Sequence, residues 1–194
     1  MAARLPAPLR RQQLLDAAVE VFAGLGFHAA SMDAVADAAG VTKPVLYQHF
    51  SSKRELYLAV LGDVGEHLRE TVLEATAGVA HPRVRVEAGF AAYFDFVAEH
   101  TGAFRLLFDA TLPADPEVGA IRERVEEAVA DTVALLIDAD VESSHRDLLA
   151  HAVIGLAEAT ARHWVRQGRI EDPARLASRV AELAWAGLRG VHRD

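Results

Sequence analysis

The chain contains only two lysines against 18 arginines, and they stand ten positions apart, at Lys43 and Lys53. Around them lie Ser31, Thr42, Tyr47, Gln48 and His49, all able to hydrogen-bond, with Pro44 among them. Ammonium groups and hydroxyls suit phosphate oxygens, and amide or aromatic side chains beside them can meet base edges. The chemistry suggested is recognition of nucleic acid. A competing reading makes Tyr47 and His49 ordinary boundary residues packed under a neighbouring helix. It leaves unexplained why the hydroxyls, both lysines and an aromatic gather on one surface.

Other chemistries find little support. Cysteine is absent, which excludes disulfides, thiolate metal sites and a cysteine nucleophile. The nine histidines are scattered, and none forms His-Glu-x-x-His. There is no Gly-x-Ser-x-Gly and no glycine loop of the phosphate-cradling kind. Glu158 and Arg162, at i and i+4, read as a surface ion pair. No catalytic residue, metal site or cofactor is therefore expected. Hydrophobic residues make up 52% and charged residues 25%, enough apolar side chain for a core. No run of 18 apolar residues lacks a charge, and no long apolar segment precedes the first helix, so a cytoplasmic protein without membrane contact is expected.

The formal net charge of -8 argues against a polyanion partner for the chain as a whole. Its distribution reverses that for one end. Residues 1–60 hold six cations and five acids, a net +1, and the remainder carries -9. The first third can meet nucleic acid while the acidic bulk lies elsewhere.

These side chains need elements to carry them. Alanine is abundant, no strand-like alternation persists, and Gly and Pro punctuate segments of helical period, which predicts about nine helices and an all-α fold. They fall near 10–25, ending at Gly24-Leu25-Gly26, then 32–39, 43–49, 53–77 and 82–100. A short one follows the Thr101-Gly102 break and runs to about 110. The rest span 116–138, from Ser143 or Ser144 to 168, and 173–190 after an Asp172-Pro173 cap. The stretch Leu112-Pro113-Ala114-Asp115-Pro116 reads as a loop. Ser31 is an N-cap candidate, Gly40 a turn, and Pro44 sits in a first turn where its missing N–H costs nothing. Two short helices around Gly40 form a helix-turn-helix. Val35, Val41, Leu46 and Phe50 share a small core with Phe22, which leaves Lys43, Pro44, Tyr47 and Gln48 pointing outward beside a helix N-terminus suited to phosphate.

The pattern Asp33-x-Val35-Ala36-x-x-Ala39-Gly40-Val41-Thr42-Lys43-x-x-Leu46-Tyr47-x-His49-Phe50-x-Ser52-Lys53-x-x-Leu56 resembles the DNA-binding domain of the TetR family of transcriptional regulators. So does the preceding helix, Leu14 to Phe27. The resemblance implies an N-terminal three-helix DNA-binding domain at 8–68 and a larger helical ligand-binding and dimerisation domain at 69–194. It implies that Ser31 and Thr42 cap the short helices and touch phosphates. Lys43, Pro44 and Tyr47 would reach base edges, and Tyr47, His49 and Lys53 would grip the backbone. Val45 departs from the family, where a small or hydroxyl residue is common.

The implied activity is a regulator, a repressor by expectation, that binds a palindromic double-stranded operator as a homodimer and leaves it on binding a small, largely apolar inducer. The dimer would form through the helices near 143–168 and 173–190, rich in small residues, with Trp164 and Trp185 either at the interface or inside the subunit. Aromatics gather at 90–108. Phe90, Tyr93, Phe94, Phe104 and Phe108, with His151, are candidate inducer contacts; core packing is the competing fate for each. The alternative from another class is an all-helical small-molecule-binding protein or enzyme that does not use its N-terminal fold on DNA.

Overall fold

A computed structural model describes residues 5–108, 116–137 and 140–191. These residues form nine α-helices and no strand: α1 (Ala7–Ala29), α2 (Met32–Ala38), α3 (Lys43–His49), α4 (Lys53–Thr76), α5 (Pro82–Glu99), α6 (Thr101–Phe108), α7 (Pro116–Leu136), α8 (Ser143–Arg166) and α9 (Pro173–Leu188). Residues 112–115 of the expected loop lie outside the described residues. The chain divides into two compact units, Met1–Val64 with Gly102–Arg122, and Gly65–Thr101 with Glu123–Asp194. The division falls inside α4, after Val64, and most of α6 and the start of α7 belong to the first unit. That assignment was not visible in the sequence.

Local signals explain most helix ends. Gly26 takes φ 75° and breaks α1, leaving a last turn to Ala29. Asp172 caps α9 by accepting the Arg175 amide at 3.0 Å, with Pro173 in the first turn. At α4, Ser52 Oγ accepts the Glu55 amide, and the Glu55 carboxylate accepts from the backbone N–H and hydroxyl of Ser51. This reciprocal exchange is a variant of the capping box, and it holds the Glu55 carboxyl below its usual range. Two expectations fail. The residue before α8 is Glu142, and Ser143 and Ser144 are already helical. Thr101 and Gly102 do not break a helix but begin α6; the break is at His100 (φ -117°, ψ 42°). The Thr101 hydroxyl bonds back to Val97 O at 2.9 Å, which accommodates it beside that break.

The first unit is held by Leu14, Leu15, Ala18 and Phe22 of α1, Val35 and Ala36 of α2, Leu46 of α3, Phe50, and Leu56 and Val60 of α4, all buried. Each large side chain among them contributes about 1.5–3 kcal/mol. Phe22 meets Tyr57 edge-on at 5.0 Å between ring centroids. A Cβ on Gly102 would lie 2.9 Å from that of Ala23, so α6 begins pressed against α1.

In the second unit α5 packs along α9 and also meets α8. The Phe94 ring stands edge-on to Trp164 at 6.3 Å. Ala130, Ala134 and Ala150 form a small-residue seam between α7 and α8. Gly65 serves close packing: a Cβ there would fall 2.4 Å from a Val125 methyl of α7. Gly62 faces open space. The Arg85 guanidinium bonds Val79 O and Leu136 O, tying the α4–α5 turn to the end of α7.

Candidate nucleic-acid interface

The turn between α2 and α3 is built by Gly40, at φ 64°. Its left-handed backbone lets the Val41 amide reach Ala36 O at 2.9 Å while the Gly40 amide donates to Asp37 O at 3.0 Å. Carbonyls at the end of α2 are thereby satisfied. Gln13 of α1 adds a clip, its amide donating to Ala39 O at 2.8 Å. Sequence reasoning missed Gln13, because only the folded tripod brings α1 to this turn.

On this base α3 buries Leu46, half-buries Val45 and His49, and exposes Lys43, Pro44, Tyr47 and Gln48. The four residues expected to face outward do so, and Tyr47 is 45% exposed. Ser31 caps α2 as expected, its Oγ accepting the Ala34 amide at 3.1 Å. Thr42 precedes α3 but makes no side-chain cap hydrogen bond. Its exposed hydroxyl stands at a helix N-terminus, where free amides favour an anion. Val45 contributes an apolar surface where a hydroxyl would add a donor.

Lys43 bonds the Asp33 carboxylate of α2 at 2.7 Å, with both side chains largely exposed. The bond and the attraction to Asp33 raise the Lys43 pKa further, so it stays cationic at any physiological pH. An exposed pair of this kind is weak and readily exchanged for another anion. Asp33 opens the motif quoted from the sequence but was given no role there; its signal was an acid ten positions before the lysine, across the turn.

Lys53 makes its contacts within the subunit. Its ammonium donates to Phe27 O at 2.7 Å, His28 O at 3.1 Å and Ala30 O at 2.8 Å, and lies 4.7 Å from the centre of the Phe27 ring. His49 packs beside Phe50 with ring centroids 6.5 Å apart. The Arg11 guanidinium lies 5.2 Å from the centre of the Phe50 ring, bringing a second cation to this end of the unit.

The expected inducer contacts are divided between the two units. Phe90, Tyr93 and Phe94 are buried in the second. Phe104 and Phe108 are buried in the first, with ring centroids 5.0 Å apart. His151 is exposed, its Nδ1 2.9 Å from Asp147 O on its own helix. Trp164 is buried within the subunit, its indole N–H donating to Glu171 O at 2.9 Å, and Trp185 is half-buried. The Tyr93 hydroxyl is buried without a hydrogen-bond partner, and burial drives its pKa far up. No described helix is long and apolar enough to cross a membrane.

Comparison with known proteins accords with this geometry. Residues 14–60 match the family described as bacterial regulatory proteins, tetR family, and residues 82–187 match the tetracyclin repressor-like C-terminal domain. The chain is 40% identical over 190 residues to the HTH-type transcriptional activator FasR of Mycolicibacterium smegmatis, covering 97% of this chain and 87% of that one. It superimposes with a TM-score of 0.71 on a TetR-like transcriptional regulator from Rhodococcus sp. RHA1, at 34% identity over 97% of this chain and all of that one. FadR of Bacillus subtilis, solved with stearoyl-CoA, shares the fold with a TM-score of 0.78 at 18% identity, covering 93% and 99% of the two chains. Two family matches that together span most of the sequence, and a relative matched along nearly all of it, place this chain in the TetR family of transcriptional regulators.

Proposed function

We propose that this regulator binds a two-fold symmetric duplex site as a homodimer and leaves it when an apolar ligand occupies the second unit. The observation that carries the proposal is the outward face of α3, where Thr42, Lys43, Pro44, Tyr47 and Gln48 are exposed over a buried Leu46. Thr42, Ser31 and His49 serve phosphate. Lys43, Pro44, Tyr47 and Gln48 read base edges from the major groove. Lys43 exchanges Asp33 for its DNA partner.

One helix-turn-helix reads few base pairs, so two copies are needed for a specific site. The surface proposed for pairing is the exposed stripe Leu148, Ala152, Gly155 and Ala159 of α8, with Leu183, Ala186 and Gly187 of α9. The α8 residues recur at four, three and four positions, which lines up small side chains for close helix approach. His151 lies on the exposed part of α8 and is assigned to this pairing region rather than to the ligand.

For the ligand we propose a long acyl chain. The aromatic side chains Phe90, Tyr93 and Phe94 supply apolar contact, and the unpartnered Tyr93 hydroxyl supplies a polar anchor. The stearoyl-CoA bound by FadR suggests the class. The mechanism uses α4, which is continuous from Lys53 to Thr76 across the division between units. At about 1.5 Å per residue its 24 residues span about 36 Å, so a tilt of ~10° moves one end by several ångströms, enough to spoil half-site spacing. A ligand drives release only by binding the released state more tightly, and a tenfold preference is about 1.4 kcal/mol.

Our first reading of the regulator is a repressor, whose release from the operator frees transcription. The name of the M. smegmatis relative supports the second reading, an activator. The protein acts in the cytoplasm in either case. A mobility-shift titration with the promoter region beside its own gene tests the proposal. Specific binding is expected, with a steep salt dependence and loss on adding stearoyl-CoA. Absence of any duplex preference would overturn it in favour of an all-helical carrier or enzyme. Deleting the gene raises expression from that promoter if the protein represses, and lowers it if it activates.

A further inference from the structure

We propose that Lys53 is a positioning residue: its ammonium clamps the end of α1 to the start of α4 and acts on DNA only by seating α2 and α3, without touching phosphate. This rests on the DNA-binding reading above.

An ammonium has three N–H donors and no acceptor. Here all three are committed, to Phe27 O, His28 O and Ala30 O at 2.7, 3.1 and 2.8 Å. No donor remains for a phosphate oxygen unless one of these bonds is given up. The ring of Phe27 lies 4.7 Å away and adds a cation–π contact.

The acceptors are carbonyls at the end of α1, where Gly26 breaks the helix and leaves backbone oxygens without helical partners. A cation at the first position of α4 is unfavourable for α4 itself, whose N-terminus is already positive. The α1 carbonyls therefore account for the cation's position better than α4 does. Ala30 immediately precedes Ser31, the cap of α2, so one ammonium holds the exit of α1, the entry to α2 and the start of α4.

The test uses the full chain with Lys53→Met and Lys53→Arg, and the duplex that wild-type protein recovers from a random pool. Binding is measured at 10 °C across a salt series, with the helical circular dichroism of each variant matched to wild type. Lys53→Met is expected to bind roughly ten-fold more weakly at every salt concentration, as a misplaced reading helix would. Its plot of log Kobs against log salt stays parallel to wild type, because no phosphate contact is lost. Lys53→Arg keeps the charge but spreads its donors in a planar fork that cannot converge on three carbonyls, so it does not restore binding. Both variants melt a few degrees lower.

A slope shallower by about 0.9 per subunit in Lys53→Met overturns the proposal in favour of a direct phosphate contact. So does wild-type binding by Lys53→Arg. Wild-type affinity in Lys53→Met also overturns it, leaving only a stabilising role. If wild-type protein recovers no duplex, the DNA-binding reading fails and the clamp is judged by melting alone. Lower midpoints in both variants then support it, and a wild-type midpoint in Lys53→Arg overturns it.

Discussion

Lys43 and Lys53 occupy the first positions of two successive helices, yet the regions around them differ in kind. At the start of α3 the lysine meets one carboxylate on an open surface. At the start of α4 it meets three backbone carbonyls and the face of an aromatic ring. The first arrangement is cheap to dissolve, since an exposed ion pair competes with water and salt. The second joins one ammonium to three carbonyls and a ring at once, so dissolving it gives up several contacts together. On the roles proposed above, the same side chain at the same helical position serves recognition in one region and architecture in the other. The difference lies in what the neighbouring chain offers it.

The largest effect expected around this contrast comes from the platform that both regions share. Leu46→Ala empties a fully buried site beneath α3 and is expected to cost about 2–5 kcal/mol in chemical denaturation. A loss below 1 kcal/mol would mean that α3 is not seated as described. Next comes Lys43→Ala, with no large change in stability but at least ten-fold weaker binding to the preferred duplex and relaxed base preference at one position. A uniform loss across all sequences would show that Lys43 touches only phosphate.

Ser52→Ala removes the cap of α4 and is expected to cost about 1 kcal/mol, read as a lower denaturation midpoint. If that variant also weakens DNA binding in its folded form, the start of α4 is sensed by the reading helix through more than Lys53. Tyr57 gives an alkaline test of the same region. Burial pushes its hydroxyl up to about 12 from an ordinary 10, so the folded state holds its proton more tightly than the unfolded chain does. The associated stability is complete below pH 10 and is lost as pH rises through about 12. Tyr57→Phe should flatten that part of the stability–pH curve, and an unchanged curve would remove Tyr57 as its source.

The smallest effect is at Asp33. Asp33→Asn frees Lys43 and removes an acid from the DNA-facing side, so non-specific binding at low salt should tighten a few-fold and converge with wild type at high salt. Weaker binding instead would show that Asp33 holds Lys43 in its reading position.

How far the sequence could be read follows the same contrast. The helix-turn-helix was legible because its determinants are local: Ser31 as a cap, Gly40 at a left-handed turn, Pro44 in a first turn, and an apolar spacing that leaves Lys43, Pro44, Tyr47 and Gln48 outward. Gly62 and Gly65 look alike on paper, yet only Gly65 meets another helix, at Val125. The aromatics at 90–108 were harder still, because burial in a core and contact with an apolar ligand ask for the same side chains. Phe94 and Phe104 have the same composition and hydropathy but belong to different units.

Residue order alone was enough to specify the helices, the turn between α2 and α3 and the residues on the outer face of α3. Hydrogen bonds and side-chain periodicity over a few residues decide those. Folding in three dimensions sets the rest: Lys43 pairs with Asp33, Lys53 bonds the carbonyls of Phe27, His28 and Ala30, and Gly102–Arg122 joins the N-terminal unit. Such partners lie far along the chain or across a turn, and composition does not encode which groups folding brings within hydrogen-bonding distance.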